Sequence, residues 1–154
     1  MRRKDRQRDE VFAYEVAKKC QYATLATTNP DGSPYAVPVS PVLVENSVYF
    51  HCAPEGKKLE NIAHNPNVCL VCVGDVKTIP EQYTTAYESA IIFGKAAAVE
   101  DRDEKIEALK KLCEKYTPEH LHLFDNAIER SLHRTAVYKI SIDQITGKQK
   151  KIYS

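Results

Sequence analysis

No stretch of this 154-residue sequence is apolar for the roughly 18 residues that a bilayer-spanning helix needs. A surplus of either charge is also lacking: 22 Lys and Arg stand against 21 Asp and Glu, a formal net charge of +1. Dedicated nucleic-acid binders carry a basic surplus, so neither nucleic acid nor a membrane is expected as a partner. Cysteine is sparse and odd in number, at Cys20, Cys52, Cys69, Cys72 and Cys113. A disulfide framework would call for an even set in a short secreted chain. The charged start, Met1-Arg2-Arg3-Lys4-Asp5-Arg6-Gln7-Arg8, has no apolar core behind it, so it does not read as a secretory leader. The cytoplasm is the expected compartment. Glycine is scarce, and no Gly-rich phosphate loop or nucleophile elbow is present. Tryptophan is absent altogether.

What is there fits a single domain over residues 1–154, with one core and no internal repeat. Residues 11–19 read as a short helix, and the basic run before them as a solvated arm diluted by Asp5, Asp9 and Glu10. Residues 22–28 are rich in strand formers. Asn29-Pro30-Asp31-Gly32 is a turn, because Pro presets φ and Gly supplies positive φ. Residues 33–44 form a second strand, irregular or at an edge, since Pro34, Pro38 and Pro41 remove three ladder donors. Residues 48–52 make a third, and the three together predict an antiparallel meander.

A short helix over 57–64, with Leu59, Ile62 and Ala63 as its inner stripe, stops at Asn65-Pro66. Residues 68–73 are continuously apolar and predict a strand buried on both faces; residues 74–82 read as loop. A long strand lies within residues 83–99, where Gly94 marks a bulge or sharp bend. Acid at Asp101, Asp103 and Glu104 opens a helix whose apolar positions recur from Ile106 to Tyr116. Helical pieces follow from Thr117-Pro118 onward and over 126–133. A final strand spans 136–145, ended by Thr146-Gly147-Lys148. The fold class is mostly β with peripheral α: a six-stranded antiparallel barrel.

Cys69-Leu70-Val71-Cys72 has the spacing of a redox or metal pair. On a strand, however, positions three apart face opposite sides, so the sulfurs diverge. His120 and His122 have no ligand set nearby in the sequence, and no metal site is expected. The segment from Tyr49 to Ile62 differs. A strand runs through His51 and Cys52 into Gly56, and then Lys57 and Lys58 open a helix. Cations there oppose the helix dipole. A phosphate held between the lysines and the first amides would reverse that penalty. Plain solvation of both lysines is the other reading, and spacing leaves both open.

The sequence resembles the nitroimidazole-resistance (Nim) branch of the pyridoxamine 5′-phosphate oxidase-like family. The resemblance rests on the order and spacing of several segments, among them Gly32-Ser33-Pro34-Tyr35-Ala36-Val37-Pro38, Tyr49-Phe50-His51-Cys52-Ala53, Gly56-Lys57-Lys58-Leu59-Glu60-Asn61-Ile62 and Asn65-Pro66-Asn67-Val68. Thr84-Thr85-Ala86-Tyr87-Glu88-Ser89-Ala90 and Ile145-Thr146-Gly147-Lys148 extend it nearly to the end. It implies a split β-barrel that forms a homodimer with FMN at the interface. By motif, Val37, Pro38, Val39 and Ser40 would line the flavin, and His51 and Cys52 would contact it where the strand ends. Lys57 and Lys58 would take the phosphate, and Ser89 would supply a polar contact. His51 matches the histidine beside the flavin ring and is the implied catalytic residue. Enzymes that oxidise the vitamin phosphate carry a Trp and an Arg-x-His segment that grip it; with no Trp, this sequence is expected to act on nitro compounds, quinones or related small oxidants. The alternative on the same fold is a non-enzymatic module binding flavin, or haem through His51.

Overall fold

Strand-forming side chains alternate with a period of two in several stretches of this chain, and one antiparallel sheet collects them. The computed structural model describes residues 1–151; the last three residues of the 1–154 domain expected from sequence lie outside them. The strands are β1 (Gln7–Arg8), β2 (Ala23–Thr28), β3 (Pro34–Val39), β4 (Val42–Val44), β5 (Ser47–Cys52), β6 (Asn67–Ile79), β7 (Thr84–Ala98) and β8 (Ala136–Lys150). Their order across the sheet is β3-β2-β6-β7-β8-β5-β4, with β1 added to β8. Every pairing is antiparallel.

Among the described residues eight strands replace the expected six, for two reasons. The stretch 33–44 is two strands, broken at Ser40-Pro41, and β1 is a short addition. The meander is also corrected. β3 pairs only with β2, and β4 only with β5, so the predicted second strand meets the first through residues 34–39 and the third through residues 42–44, and no continuous three-stranded meander forms. β3 and β4 are the two ends of the sheet path, yet they are consecutive in the chain. Val39 and Val42 are three residues apart and so at most about 11 Å from one another. The sheet has therefore rolled until its edges lie side by side without a ladder between them: a split barrel.

β6 is buried on one face only. Val68, Leu70 and Cys72 point inward, while Cys69 and Val71 are half-buried and Val73 is exposed. The two cysteines thus face opposite ways, and the Cys72 thiol meets that of Cys20 instead. The region 74–82 is mostly strand: after a bulge between Val73 and Val76, β6 runs on to Ile79 against β7. Thr146-Gly147-Lys148 likewise stays within β8. Gly147 is needed there because a Cβ would come within 3.1 Å of both Ala13 and Phe12 of the covering helix. Gly94 does sit at a register shift, and a Cβ on it would run into the Ser141 carbonyl oxygen.

Among the described residues four α-helices decorate the barrel: α1 (Glu10–Lys19), α2 (Lys57–His64), α3 (Arg102–Tyr116) and α4 (Phe124–Ser131). The Asp9 carboxylate caps α1 by accepting from the Phe12 N–H at 2.9 Å. Ala13, Val16 and Ala17 then close one mouth of the barrel core, which holds Leu25, Phe50, Leu70, Ile92 and Ile140. α3, capped by Asp101 on the Glu104 N–H at 2.8 Å, packs outside on a second cluster around Val42, Tyr49, Val99 and Val137. No helix among the described residues is long and apolar enough to cross a membrane.

Candidate functional site

Where β3 stops, β5 stops and α2 begins, an open cavity of about 390 Å³ is lined by Tyr22, Pro38, Val39, Ser40, His51 and Lys58. Each lining residue arrives there for a local reason. β3 is a sheet edge, so every second residue turns its amide and carbonyl away from β2 with no strand beyond. Pro38 is tolerated there because an edge strand can spare a donor. Val39 packs inward on the core while also forming the cavity wall. His51 pairs with Val137 of β8 and points to the side opposite the buried Phe50. Its side chain retains exposed surface, but the protein crowding its imidazole lowers its pKa from 6.5. Desolvation favours the neutral ring, which keeps one N–H donor and one lone pair at pH 7.

Gly56 lies at φ 143, and a Cβ placed on it would meet nothing within 4 Å. The bend it permits starts α2 directly at Lys57. The amides of Leu59 and Glu60 both donate to the Gly56 carbonyl, at 3.0 and 3.1 Å. The two preceding amides, of Lys57 and Lys58, find no backbone acceptor among the described residues. Free amides, a dipole end and an ammonium at one point make an anion site in chemical terms. The residues present fit a flavin phosphate there.

The two lysines divide. Lys58 lines the cavity and its charge reaches Cys52, whose thiol is pushed up by burial and pulled back by that ammonium. Lys57 swings the other way, its ammonium 5.6 Å above the Tyr35 ring. Val37 faces the core, half-buried opposite Leu25. Ser89 is not brought to this cavity by the fold of the chain. It lies on β7 between Val73 of β6 and Lys148 of β8, whereas the residue level with His51 is Val99, just past the end of β7, whose N–H donates to the Val137 carbonyl at 2.8 Å.

Two residues escaped the sequence reading. Tyr22 reaches the cavity from just before β2, and nothing in its sequence neighbourhood marks it. Asn61 takes the inner position on α2 that Ala63 was expected to hold; Ala63 is exposed. The Asn61 side chain is 2% exposed and donates to Thr27 Oγ1 at 3.0 Å and Asn29 Oδ1 at 2.9 Å. It ties α2 to β2 and to the following turn, and so fixes where Lys58 stands. A polar residue on an apolar stripe was the available signal. Among the described residues no cluster of His, Cys, Asp or Glu could hold a metal ion.

A rolled antiparallel sheet whose edge strand, strand end and basic helix start surround one open cavity defines the split-barrel class. The chain belongs to the pyridoxamine 5′-phosphate oxidase family, which it matches over residues 12–149. Among solved structures it is similar to a candidate 5-nitroimidazole antibiotic resistance protein from Bacteroides thetaiotaomicron, at 29% identity and TM-score 0.76, covering 92% of this chain and 84% of that one. A flavocytochrome from Azotobacter vinelandii shares the fold at 19% identity and TM-score 0.82, covering 99% and 72%. An FAD and haem binding protein from Mycobacterium smegmatis does so at 19% identity and TM-score 0.81, covering 96% and 75%. No curated protein matches the chain.

Proposed function

We propose that the protein is an FMN-dependent oxidoreductase that reduces nitro compounds or related small oxidants and works as a homodimer. The observation that carries this reading is the meeting of Lys58, the open amides of α2 and His51 on one cavity. When bound, FMN supplies the electron chemistry. Lys58 holds the phosphate by a charge-assisted contact, Lys57 adds to the local positive field, and Cys52 sits beside them. The unpaired edge of β3 at residues 37–40 offers backbone groups to the flat ring. His51, neutral at pH 7, donates a hydrogen bond or a proton to the bound substrate.

The dimer is supported by the outer face of β6 and β7. Val71, Val73, Ile91 and Phe93 form a row there, with Val73 44% and Phe93 47% exposed. Ser89 lies in the same row, opposite Val73. A second copy laid on this face buries the row and brings Ser89 into the interface.

The test is a visible spectrum of the purified protein, followed by paired titrations with FMN and riboflavin. A flavin band and a Lys58→Ala variant that loses about 10–150-fold in FMN affinity, with riboflavin affinity nearly unchanged, support the reading. Equal losses for both flavins assign Lys58 to the fold instead. A Soret band in place of the flavin band favours the haem-binding module, a reading supported by the haem named for the Mycobacterium smegmatis neighbour.

A further inference from the structure

The first eight residues contain Arg2, Arg3, Lys4, Arg6 and Arg8, and from sequence they read as a solvated arm. The fold pins that arm down. β1 pairs Gln7 with Lys148 and Arg8 with Gly147. The arginines are thereby laid on the strand end that carries Lys148, Lys150 and Lys151. Like charges gathered by strand pairing repel unless an anion lies between them.

The acids close by are already engaged. Asp5 accepts two bonds from the Arg3 guanidinium, at 2.7 and 2.5 Å, which hold its pKa at about 2. Asp75 and Glu88 share the Lys19 ammonium, at 3.1 and 2.5 Å. Among the described residues no carboxylate pairs with Arg8, Lys148, Lys150 or Lys151. Arg8 is oriented by neutral groups: it stacks 4.5 Å over the Phe12 ring and donates to Gln149 Oε1. Lys150 donates to the Thr84 hydroxyl.

Two adjoining clefts share Gln149, Lys150 and Lys151. One, of about 310 Å³, is walled by Arg3, Arg6 and Arg8. The other, of about 280 Å³, is walled by Tyr87, Val76 and Ala86, with the Lys19-bound carboxylates of Asp75 and Glu88 at its side. Tyr87 stands beside the basic side, with the Lys148 ammonium 5.6 Å from its ring centroid. Such a double cleft suits a molecule with a flat ring at one end and several negative charges at the other. Five cations against the single Asp5 on the charged side exceed what one phosphate would neutralise.

We propose that this double cleft binds a nucleoside diphosphate, free or as part of a larger nucleotide. Its phosphates lie among Arg6, Arg8 and Lys150, and its base lies against Tyr87, Val76 and Ala86. The site is separate from the flavin reading. Along β8, Val137 is level with His51 and Lys148 with the arm, eleven residues away (137 to 148).

The test is calorimetric titration of the full chain with ADP, pyrophosphate and adenosine, at low and at high salt. ADP is expected to bind more tightly than either fragment, and more weakly as salt rises. Arg6→Ala and Lys150→Ala, both surface changes checked by thermal melting, are each expected to lose about tenfold or more in ADP affinity. Tyr87→Leu is expected to weaken ADP while leaving pyrophosphate within about twofold, as loss of an aromatic contact requires. Saturating FMN is expected to leave ADP binding unchanged, and Lys58→Ala to alter FMN affinity alone, so that failure of one site is told from failure of the other. The proposal is overturned if ADP does not bind, if Tyr87→Leu weakens ADP and pyrophosphate equally, if FMN displaces ADP, or if a single-stranded oligonucleotide binds more tightly than ADP.

Discussion

Inside the barrel, Leu25, Phe50, Leu70, Ile92 and Ile140 are fully buried against one another. Beneath α3, Val42, Val99, Ala108 and Leu112 meet in a thinner layer rimmed by polar contacts. Tyr49 donates to Glu104 Oε1 at 2.8 Å, and Lys139 reaches the same oxygen at 3.0 Å. Lys115 and Tyr116 both donate to the Pro41 carbonyl, at 2.8 and 2.7 Å. The interior is held by filled volume, and the outer layer by docking geometry. The difference bears on the site, because Pro41 belongs to the break between β3 and β4 whose other residue, Ser40, lines the cavity. α3 therefore steadies a cavity wall that it does not itself form.

Truncating the interior should have the largest effect. Phe50→Ala removes a fully buried ring and is expected to destabilise the fold by about 3–5 kcal/mol in urea unfolding. A loss below about 2 kcal/mol would show that the barrel relaxes around the void and would break the contrast. Leu112→Ala, in the outer layer, is expected to cost about 2–3 kcal/mol, because α3 can settle toward the sheet. It should also blunt ligand binding at the cavity, which an interior change of equal cost should not do. Glu104→Gln is the mildest test, at no more than about 1 kcal/mol for a partly exposed pair. Lys139 first, then Tyr49, hold the Glu104 carboxyl below its ordinary 4.5. Its contribution is thus present above pH 4.5 and fades as pH falls through the lowered value. The difference between wild type and Glu104→Gln should shrink across that acid range, while the cost of Phe50→Ala should stay flat.

Much of the architecture was legible because its signals are local. Asn29-Pro30-Asp31-Gly32 turns as expected, with Gly32 at φ 85 and its N–H donating to the Asn29 carbonyl at 2.9 Å. What escaped depended on distant partners. Asp75 to Thr78 looks like loop by composition, but β7 supplies a ladder that extends it as strand. The two residues of β1 carry no strand signal at all; Lys148 and Gly147, at the far end of the chain, make them one. At the cavity, the order of motifs was enough to pick out Pro38, Val39, Ser40, His51 and Lys58 together. It could not separate Lys57 from Lys58, since consecutive helix residues differ by about 100° in direction. That rotation sends one ammonium to Tyr35 and the other to the cavity.

The Ser40-Pro41 break also sets a timetable. β3 joins β2 through a short hairpin, but β5 must find β8 across 86 residues (51 to 137) before the roll can close. Pairings of that span form slowly, because chain entropy is lost before the contacts are gained. Residues 38–40 and His51 come to face one another only when the roll closes, so the cavity is assembled in the last stage of refolding. A ligand bound there meets nothing to hold in the earlier, open chain. It should therefore slow unfolding and leave the refolding rate unchanged, acting as a latch on the finished barrel rather than a template for building it.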